Sequence, residues 1–230
     1  MEQDRLHEAQ QQTKPEQEKH SAKAALKTAA AMLLFMTVVG GVAYPLGMTA
    51  VSQLIFPEQA NGSVIEAGGK QYGSALLAQS FSPENDPEGR YLWGRAMNLS
   101  TFAVSGENGE ALLYSGPSNL SPASAEYEAL VNERVKAIRE VYSEKAEEPI
   151  PADLVTVSGS GLDPEISPKA AAWQAEHIAK VRHLSVEDVQ SVIDAYTTKP
   201  FLGVFGEPAV NVLKVNLTLD GILSRPEGDN

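Results

Sequence analysis

The stretch from Ser158 to Gln174 holds residue types that can bind a phosphate group. It reads SGSGLDPEISPKAAAWQ, with two glycines and two serines shortly before an expected helix start. Glycine lets backbone N–H groups turn toward an anion, and a helix N-terminus adds about half a positive charge. The motif is incomplete, because no lysine follows Gly161, as a P-loop requires, and the third glycine of a dinucleotide-binding turn is missing. A second interpretation therefore stays open, in which Gly159 and Gly161 only shape a tight turn before a helix capped by Ser167.

Other residues that could carry chemistry form no recognisable catalytic or metal site. The chain has no cysteine, which excludes disulfides, zinc-thiolate centres, iron–sulfur clusters and cysteine nucleophiles. His177 and His183 are six residues apart on one expected helix, rather than the four that would bring both to one metal ion, so we expect surface or capping positions for them. No G-x-S-x-G or H-E-x-x-H motif is present. The sequence thus argues against autonomous catalysis and by itself assigns no cofactor.

The net charge of −12 is concentrated in one part of the chain. The residues before position 28 carry five basic and five acidic side chains, so the remainder, with thirteen basic and twenty-five acidic side chains, holds the whole excess. Binding to nucleic acid or to an anionic bilayer surface requires a basic face. The composition therefore excludes nucleic acid as a partner and a domain that lies flat on anionic lipid.

An uncharged apolar run from Thr28 to Pro57 predicts a transmembrane helix over residues 28–56. The run is about thirty residues long, and roughly twenty are enough to span the hydrocarbon core. Membrane lipid is therefore one expected partner of the chain.

The charges on either side of the apolar run predict its orientation. Lys19, Lys23 and Lys27 precede the run, whereas the first charges after it are acidic. By the positive-inside rule we predict a polar cytoplasmic tail over residues 1–27 and an acidic extracytoplasmic domain over residues 57–230. The protein is then a single-pass protein of the cell membrane.

A cleaved signal peptide is the alternative to the membrane anchor. The apolar part from Ala29 to Gly41 is long enough for a signal peptide, and GVA before Tyr44 is a fair cleavage site. However, the apolar pattern continues well past Pro45, where an exported domain usually turns polar. This continuation favours the anchor.

Four residues of the apolar run are candidates for contact with a partner subunit: Gly40, Gly41, Tyr44 and Pro45. Glycines let a neighbouring helix approach closely, and proline removes a backbone donor and invites a kink. Membrane helices also tolerate glycine and proline without any such role, so this pattern is weak evidence by itself.

The remaining chain predicts a single domain of the α+β class. Ser121 or Ser124 is expected to cap a first helix, and S-x-x-D at Ser185 predicts another that runs through Tyr196. The other expected elements are a loop-rich region with Trp93 and Tyr114 as aromatic anchors, a strand over 153–157, a helix from Pro168 to about Leu184, and a strand over 213–219 with Lys214, Asn216 and Thr218 on its polar face.

Several separate segments together resemble the C-subunit family (KdpC) of the Kdp potassium-transporting ATPase. In chain order they are the Tyr44-Pro45 pair, FPEQANGS, YGSALLAQSF, SGPSNLSP, VTVSGSGLDPEISPKAAAWQ and GEPAVNVLKVNLTLD. The resemblance runs from about Tyr44 to Asp220, which is most of the chain, and the combination of segments is highly specific. The stretch 158–174 resembles the signature segment of that family.

The resemblance implies a non-catalytic, single-pass subunit of a complex that hydrolyses ATP to import potassium. In that family a channel-like A subunit carries the ion, a P-type B subunit is phosphorylated within a D-K-T-G-T sequence, and a small F subunit is a further partner. This chain lacks D-K-T-G-T. The family's C subunit is also described as a catalytic chaperone that raises the ATP affinity of the B subunit. Its proposed nucleotide contacts correspond here to Ser158, Gly159, Ser160, Gly161 and Gln174.

The charge pattern and this nucleotide assignment disagree. Lys19, Lys23 and Lys27 predict that the domain lies outside the cell, whereas ATP is inside, and we give the charge pattern more weight. We therefore expect a role in assembly, in which the helix packs beside the channel-like subunit and the acidic domain covers its outer mouth. The alternative from a different class is an anchored, exported binding module unrelated to transport.

Overall fold

The structure, a computed structural model, describes residues 22–105 and 111–226. Most of the predicted cytoplasmic tail lies outside these residues. The chain divides after Ala60 into two compact units. We call residues 22–60 the membrane segment and the residues from 61 onward the domain.

The membrane segment is helical almost throughout. It consists of α1 (Ala22–Val38), a π-helical turn (Val39–Ala43), α2 (Tyr44–Ile55) and the single turn α3 (Pro57–Ala60). In the π-helical turn the Tyr44 N–H donates to the Val39 carbonyl oxygen, five residues back. Pro45 follows directly and has no N–H to donate, so the wider turn accommodates its ring within a continuous helix. The stretch Ala22–Ile55 has 34 residues and is long and apolar enough to cross a membrane.

Short strands form three small antiparallel sheets among the domain residues that the structure describes. Their bounds are β1 Val64–Ala67, β2 Lys70–Ser74, β3 Leu99–Ser105, β4 Ala111–Ser115, β5 Glu165–Ile166, β6 Thr197–Thr198 and β7 Ala209–Asn211. β1 pairs with β2, β3 pairs with β4, and the third sheet has the order β5, β7, β6. In the third sheet Val210 faces both Ile166 and Thr197, so β7 is its central strand.

In the described part of the domain, five α-helices and one 3-10 turn (Ser143–Lys145) accompany these strands, and together they confirm the α+β class. They are α4 Ala125–Val141, α5 Ala152–Val155, α6 Pro168–Arg182, α7 Val186–Ala195 and α8 Val212–Leu219. The predicted caps are confirmed, because the side chains of Ser124, Ser167 and Ser185 each accept a hydrogen bond from a backbone N–H in the first turn of their helix. Pro168 occupies the first turn of α6, as predicted.

Two buried clusters form the core of the domain. The first lies around α6, α7 and α8 and includes Leu92, Ile178 and Val215. The second contains Trp93, Ile138, Tyr142, Leu154 and Val155. Two consecutive residues, Leu92 and Trp93, therefore belong to different clusters, and the backbone at these two positions joins the two clusters.

The predicted strand over 213–219 is wrong, because this stretch belongs to the helix α8. The Asn211 side chain accepts a hydrogen bond from the Lys214 N–H and caps the helix. Alternation of apolar and polar residues indicates a strand only when one face is exposed. Here five of the eight helical residues are buried, so the burial pattern has no period of two. They are Val212, Leu213, Val215, Asn216 and Leu217.

The predicted strand over 153–157 is also wrong. Residues Ala152–Val155 form the short helix α5, and only Val157 makes an isolated β-bridge, to Ala96. Leu154 and Val155 are apolar because they fill the second cluster, not because they lie in a sheet.

The region predicted to be a long loop contains the antiparallel strand pair β3–β4. Of its two predicted aromatic anchors, Trp93 is buried as expected, whereas Tyr114 lies on β4 with 57% of its side chain exposed. The anchor prediction is therefore confirmed for Trp93 and wrong for Tyr114.

Candidate functional site

Gln174 lies inside the domain and uses all four of its hydrogen-bonding positions. It sits on α6 and has no exposed surface. Its Oε1 accepts from the Trp93 N–H at 2.9 Å and from the Tyr142 hydroxyl at 3.2 Å. Its Nε2 donates to the carbonyl oxygens of Trp93 at 3.1 Å and Ala170 at 3.2 Å. A glutamine side chain has two donor and two acceptor positions, so none is left for a ligand.

Tyr142 is held as a neutral hydrogen-bond donor. Burial raises the pKa of its hydroxyl, and the nearby carboxylates of Asp86 and Glu144 raise it further. Its ring meets the Trp93 ring edge-on, with the centroids 5.1 Å apart. Tyr142 thus joins the hydrogen bonds around Gln174 to the second cluster.

Asn216 hydrogen-bonds to the backbone N–H and carbonyl of Leu92, just as Gln174 does to those of the next residue, Trp93. Its Oδ1 accepts from the Leu92 N–H at 2.7 Å, and its Nδ2 donates to the Leu92 carbonyl oxygen at 2.9 Å. Only 1% of Asn216 is exposed. The peptide groups of two consecutive buried residues, neither of which lies in a helix or strand, are therefore satisfied by side-chain amides from α8 and α6.

Asp86 binds the backbone of the two residues before Leu92 and the side chain of Trp93. One carboxylate oxygen accepts from the Arg90 N–H at 3.0 Å, and the other accepts from the Tyr91 N–H and the Trp93 indole N–H, each at 2.9 Å. Asp86 is 5% exposed, and these three donors compensate for the burial of its charge.

The 158–161 loop directs several of its polar groups inward. Ser158 is 4% exposed, and its Oγ lies 3.3 Å from the Ser160 Oγ and accepts from the Asp163 N–H at 3.4 Å. The Ser160 Oγ accepts from the Leu162 N–H, and the Gly161 N–H donates to the Ser158 carbonyl oxygen. These contacts are those of a closed turn, in which the serine hydroxyls bind the loop's own backbone.

Only one of the two loop glycines is required by the fold. Gly161 has a φ of +70°, and a Cβ there would lie 2.6 Å from the Gly116 carbonyl oxygen. Gly159 has nothing within 4 Å of a Cβ and is exposed. The backbone conformation and the close contact thus require glycine at position 161, whereas no contact requires glycine at position 159.

A carboxylate of the protein itself occupies the start of α6, where a bound anion would be expected. Asp153 accepts from the Ser167 hydroxyl at 2.5 Å and from the Ser167 N–H at 3.1 Å. The Ser167 Oγ in turn accepts from the Ala170 N–H. A negative charge at a helix N-terminus is stabilising, so Asp153 supplies the favourable interaction that a phosphate would otherwise make.

Arg95 holds the two sides of the 158–161 loop together. Its guanidinium donates to the Val157 carbonyl oxygen at 3.1 Å before the loop and lies 3.4 Å from the Asp163 carboxylate after it. Its Nε is buried and has no hydrogen-bond partner among residues 22–105 and 111–226.

The two histidines of α6 have different environments. His183 is exposed and ends the helix in the left-handed conformation, as a capping residue. The expectation of a surface or capping position is wrong for His177, which is 7% exposed and lies 2.6 Å from a Glu144 carboxylate oxygen and 2.9 Å from the Glu88 carbonyl oxygen. Partial burial raises the pKa of the Glu144 carboxyl, but hydrogen bonds from its own backbone and from His177 outweigh this, and the net pKa lies below its ordinary value. Within the residues 22–105 and 111–226, no three His, Cys, Asp or Glu side chains could hold a metal ion together.

Comparison with known proteins identifies the family. The family model described as "KdpC: K+-transporting ATPase, c chain" matches residues 26–221. The chain belongs to the KdpC family. This assignment confirms the resemblance found in the sequence, and the match extends across both the membrane segment and the domain.

Individual relatives agree with the family model. A protein of Clostridium perfringens named potassium-transporting ATPase KdpC subunit is 56% identical over 197 residues, which is 86% of this chain and 96% of the relative. A Clostridium botulinum protein of the same name is 53% identical over 87% of this chain and 98% of its own length. A Ralstonia nicotianae KdpC subunit is 46% identical over 84% of this chain and 89% of its own length.

The five domain residues singled out by resemblance to the KdpC family fall into two different settings. Ser158, Gly159, Ser160 and Gly161 form one turn at the edge of the domain, with Gly159 and Ser160 exposed. Gln174 lies in the interior, and its four hydrogen bonds would have to break before a nucleotide could contact it.

The four membrane residues singled out for this KdpC-family chain lie together on the helix. Gly40 and Gly41 are in the π-helical turn, and Tyr44 and Pro45 follow it directly. A Cβ at Gly40 or Gly41 would meet nothing within 4 Å, so this stretch of helix surface is open within the described chain.

Sequence reasoning missed Asn216, Asp86 and Tyr142. The sequence pattern predicts Asn216 on the polar face of a strand, and the local signal against a strand is Asn211, a residue type that commonly caps helices. The donors to Asp86 lie only four to seven residues along the chain, at Arg90, Tyr91 and Trp93, but no recognised motif marks them. The hydrogen bond of Tyr142 could not be predicted locally, because its partner, Gln174, is 32 residues away.

We predict that Gln174→Leu will strongly destabilise the domain. Leucine has a similar volume but leaves the Trp93 N–H and carbonyl and the Tyr142 hydroxyl buried without this partner, at about 1–3 kcal/mol for each group. Tyr142→Phe is the matched control, since it removes one donor and leaves the Trp93 pairing intact, and it should cost about 1 kcal/mol. The free energy of unfolding by urea, measured on the full chain in detergent, checks both values. Equal stability of Gln174→Leu and the unmodified protein would contradict the structural role.

Proposed function

We propose that this chain is a non-catalytic accessory subunit of a high-affinity, ATP-driven potassium import complex. The observation that carries the proposal is the KdpC family match over residues 26–221, together with relatives named as KdpC subunits of a potassium-transporting ATPase. The chain lacks the D-K-T-G-T sequence in which the P-type subunit of such a pump is phosphorylated. Its role in the proposal is to assemble and stabilise the channel-like A subunit and the P-type B subunit, with the small F subunit as a further partner.

The membrane segment supports an assembly role. None of its residues is buried by the part of the chain that the structure describes, which leaves its apolar side chains available to lipid or to other helices. The open surface at Gly40 and Gly41 allows a neighbouring helix to approach closely, and Tyr44, 65% exposed, lies immediately after it. We propose that a helix of the channel-like subunit packs at this position.

The proposal places the N-terminus in the cytoplasm and the acidic domain outside. Lys23 and Lys27 lie in the first two turns of α1, whereas the helix that follows the membrane run carries Glu58. An excess of lysine on one side of a membrane helix favours the cytoplasm for that side. The domain is then separated from cytoplasmic ATP by the membrane.

In this proposal the residues 158–174 stabilise the domain through internal contacts and do not bind a ligand. Its serines bind backbone groups of their own loop, Asp153 lies at the α6 N-terminus, and Gln174 is fully engaged. We propose that any effect of the chain on the ATP affinity of the B subunit is transmitted through subunit contacts and not through a nucleotide held by these residues.

Co-purification from the native host tests the assembly role. The chain, tagged at its C-terminus and extracted in mild detergent, should bring the A and B subunits with it. Gly40→Leu should reduce their recovery because it fills the open helix surface, whereas Ala29→Leu places the same side chain elsewhere on the membrane segment, away from the glycines, and should not. Recovery of the chain without either subunit would contradict the proposal and favour an independent binding module.

Topology is tested by labelling single cysteines in intact cells with a membrane-impermeant reagent. The chain has no native cysteine, so Ser21→Cys and Ser160→Cys can be compared without background. We expect labelling of position 160 and not of position 21, with both labelled after permeabilisation. The reverse pattern would overturn the orientation and return a nucleotide-binding role to the 158–161 loop.

A further inference from the structure

A tight turn in the domain exposes an unusual set of apolar side chains. The turn spans residues 200–205, PFLGVF, and we call it the apolar tip. Its four large apolar side chains are each exposed by about two thirds or more: Phe201 71%, Leu202 76%, Val204 78% and Phe205 66%. Soluble domains seldom concentrate apolar surface in this way without a binding role.

The backbone of the apolar tip is closed into a turn by its own hydrogen bonds. Phe201 and Phe205 exchange both N–H to carbonyl bonds, at 2.8 and 3.0 Å, and the Gly203 N–H donates to the Pro200 carbonyl oxygen. Leu202 and Gly203 both have positive φ, the conformation that reverses a chain in a tight turn. The tip is therefore a preformed projection, not a loose loop whose apolar residues await internal packing.

The apolar tip is rooted in the core of the domain. It connects β6 to β7, which pair with each other, and β7 contributes the fully buried Val210 to the first cluster. Asn211 at the end of β7 donates to the Ala75 carbonyl oxygen and caps α8. The tip is thus connected directly to the third sheet and, through Val210, to the first cluster.

We propose that the apolar tip docks into an apolar, non-acidic cleft on the extracytoplasmic surface of another subunit of the transport complex. This inference rests on the proposed accessory role of the chain. Preformed apolar and aromatic projections are typical anchors of protein interfaces, because little conformational entropy is lost when they bind.

Charge favours a protein cleft over lipid or a second copy of the chain. Loops that insert into a bacterial membrane surface usually combine apolar residues with several basic ones. In the sequence, the basic residue Lys199 directly precedes the tip, and the acidic residue Glu207 lies two positions after it. The domain as a whole carries a large acidic excess. Two copies meeting at this surface would bring two acidic domains together, which is unfavourable.

Photo-crosslinking in the assembled complex tests the docking directly. A benzophenone amino acid replaces Val204, the most exposed residue of the tip, in the full chain expressed with its native partners. We expect a crosslink to another protein subunit of the complex. A crosslink only to lipid, a crosslink only to a second copy of the chain, or no crosslink would each overturn the proposal.

Substitution of the apolar tip measures its contribution to assembly. Phe201→Ser combined with Phe205→Ser should release partner subunits roughly tenfold faster in a detergent wash, as expected for loss of an interface anchor. Leu76→Ser with Leu77→Ser removes two other exposed apolar side chains of the domain and should leave the release rate unchanged. Unfolding midpoints should match the unmodified protein for both variants, because the side chains are exposed. Equal release rates for the two variants would contradict the docking.

The two proposals fail in different ways. If the unmodified chain retains its partners but the tip variant releases them no faster, the docking is wrong and the accessory role stands. If the unmodified chain brings no A or B subunit with it, both proposals fall.

Discussion

The domain depends on hydrogen bonds between two side-chain amides and the buried backbone N–H and carbonyl groups of two consecutive residues. Leu92 and Trp93 lie between the two core clusters, outside any helix or strand that would pair their backbone. A buried N–H or carbonyl without a partner costs as much as a lost hydrogen bond. Asn216 and Gln174 remove this cost at four groups, and in doing so they fix α8 and α6 against the chain that joins the clusters.

The sequence predicted the features that local chemistry determines. The serine caps, the apolar membrane helix and the α+β composition follow from residues a few positions apart. The inward role of Gln174 and Asn216 could not be predicted in this way, because their Trp93 and Leu92 partners are 81 and 124 residues away. The misassigned α8 has the same origin, since contacts from several elements bury it on more than one face and remove the periodic pattern that distinguishes a helix from a strand.

The polar groups in and around the 158–174 stretch and the surfaces available to partners are separate in this structure. The serine hydroxyls, Asp153 and Gln174 are occupied with contacts inside the domain. Two features that are open to a partner are the helix surface at Gly40 and Gly41 and the apolar tip of the domain. We propose that contacts with other subunits use these apolar surfaces, whereas the polar groups of the interior stabilise the domain itself.

Hydrogen–deuterium exchange of the Leu92 and Trp93 amides is the most direct measurement of the central claim. It needs no substitution and reports the two hydrogen bonds on which the join between the clusters depends. The account predicts that both amides exchange as slowly as those in the middle of α6, although they lie outside regular secondary structure. Exchange as fast as that of the exposed apolar tip would show that the side-chain amides do not hold this segment, and would contradict the account.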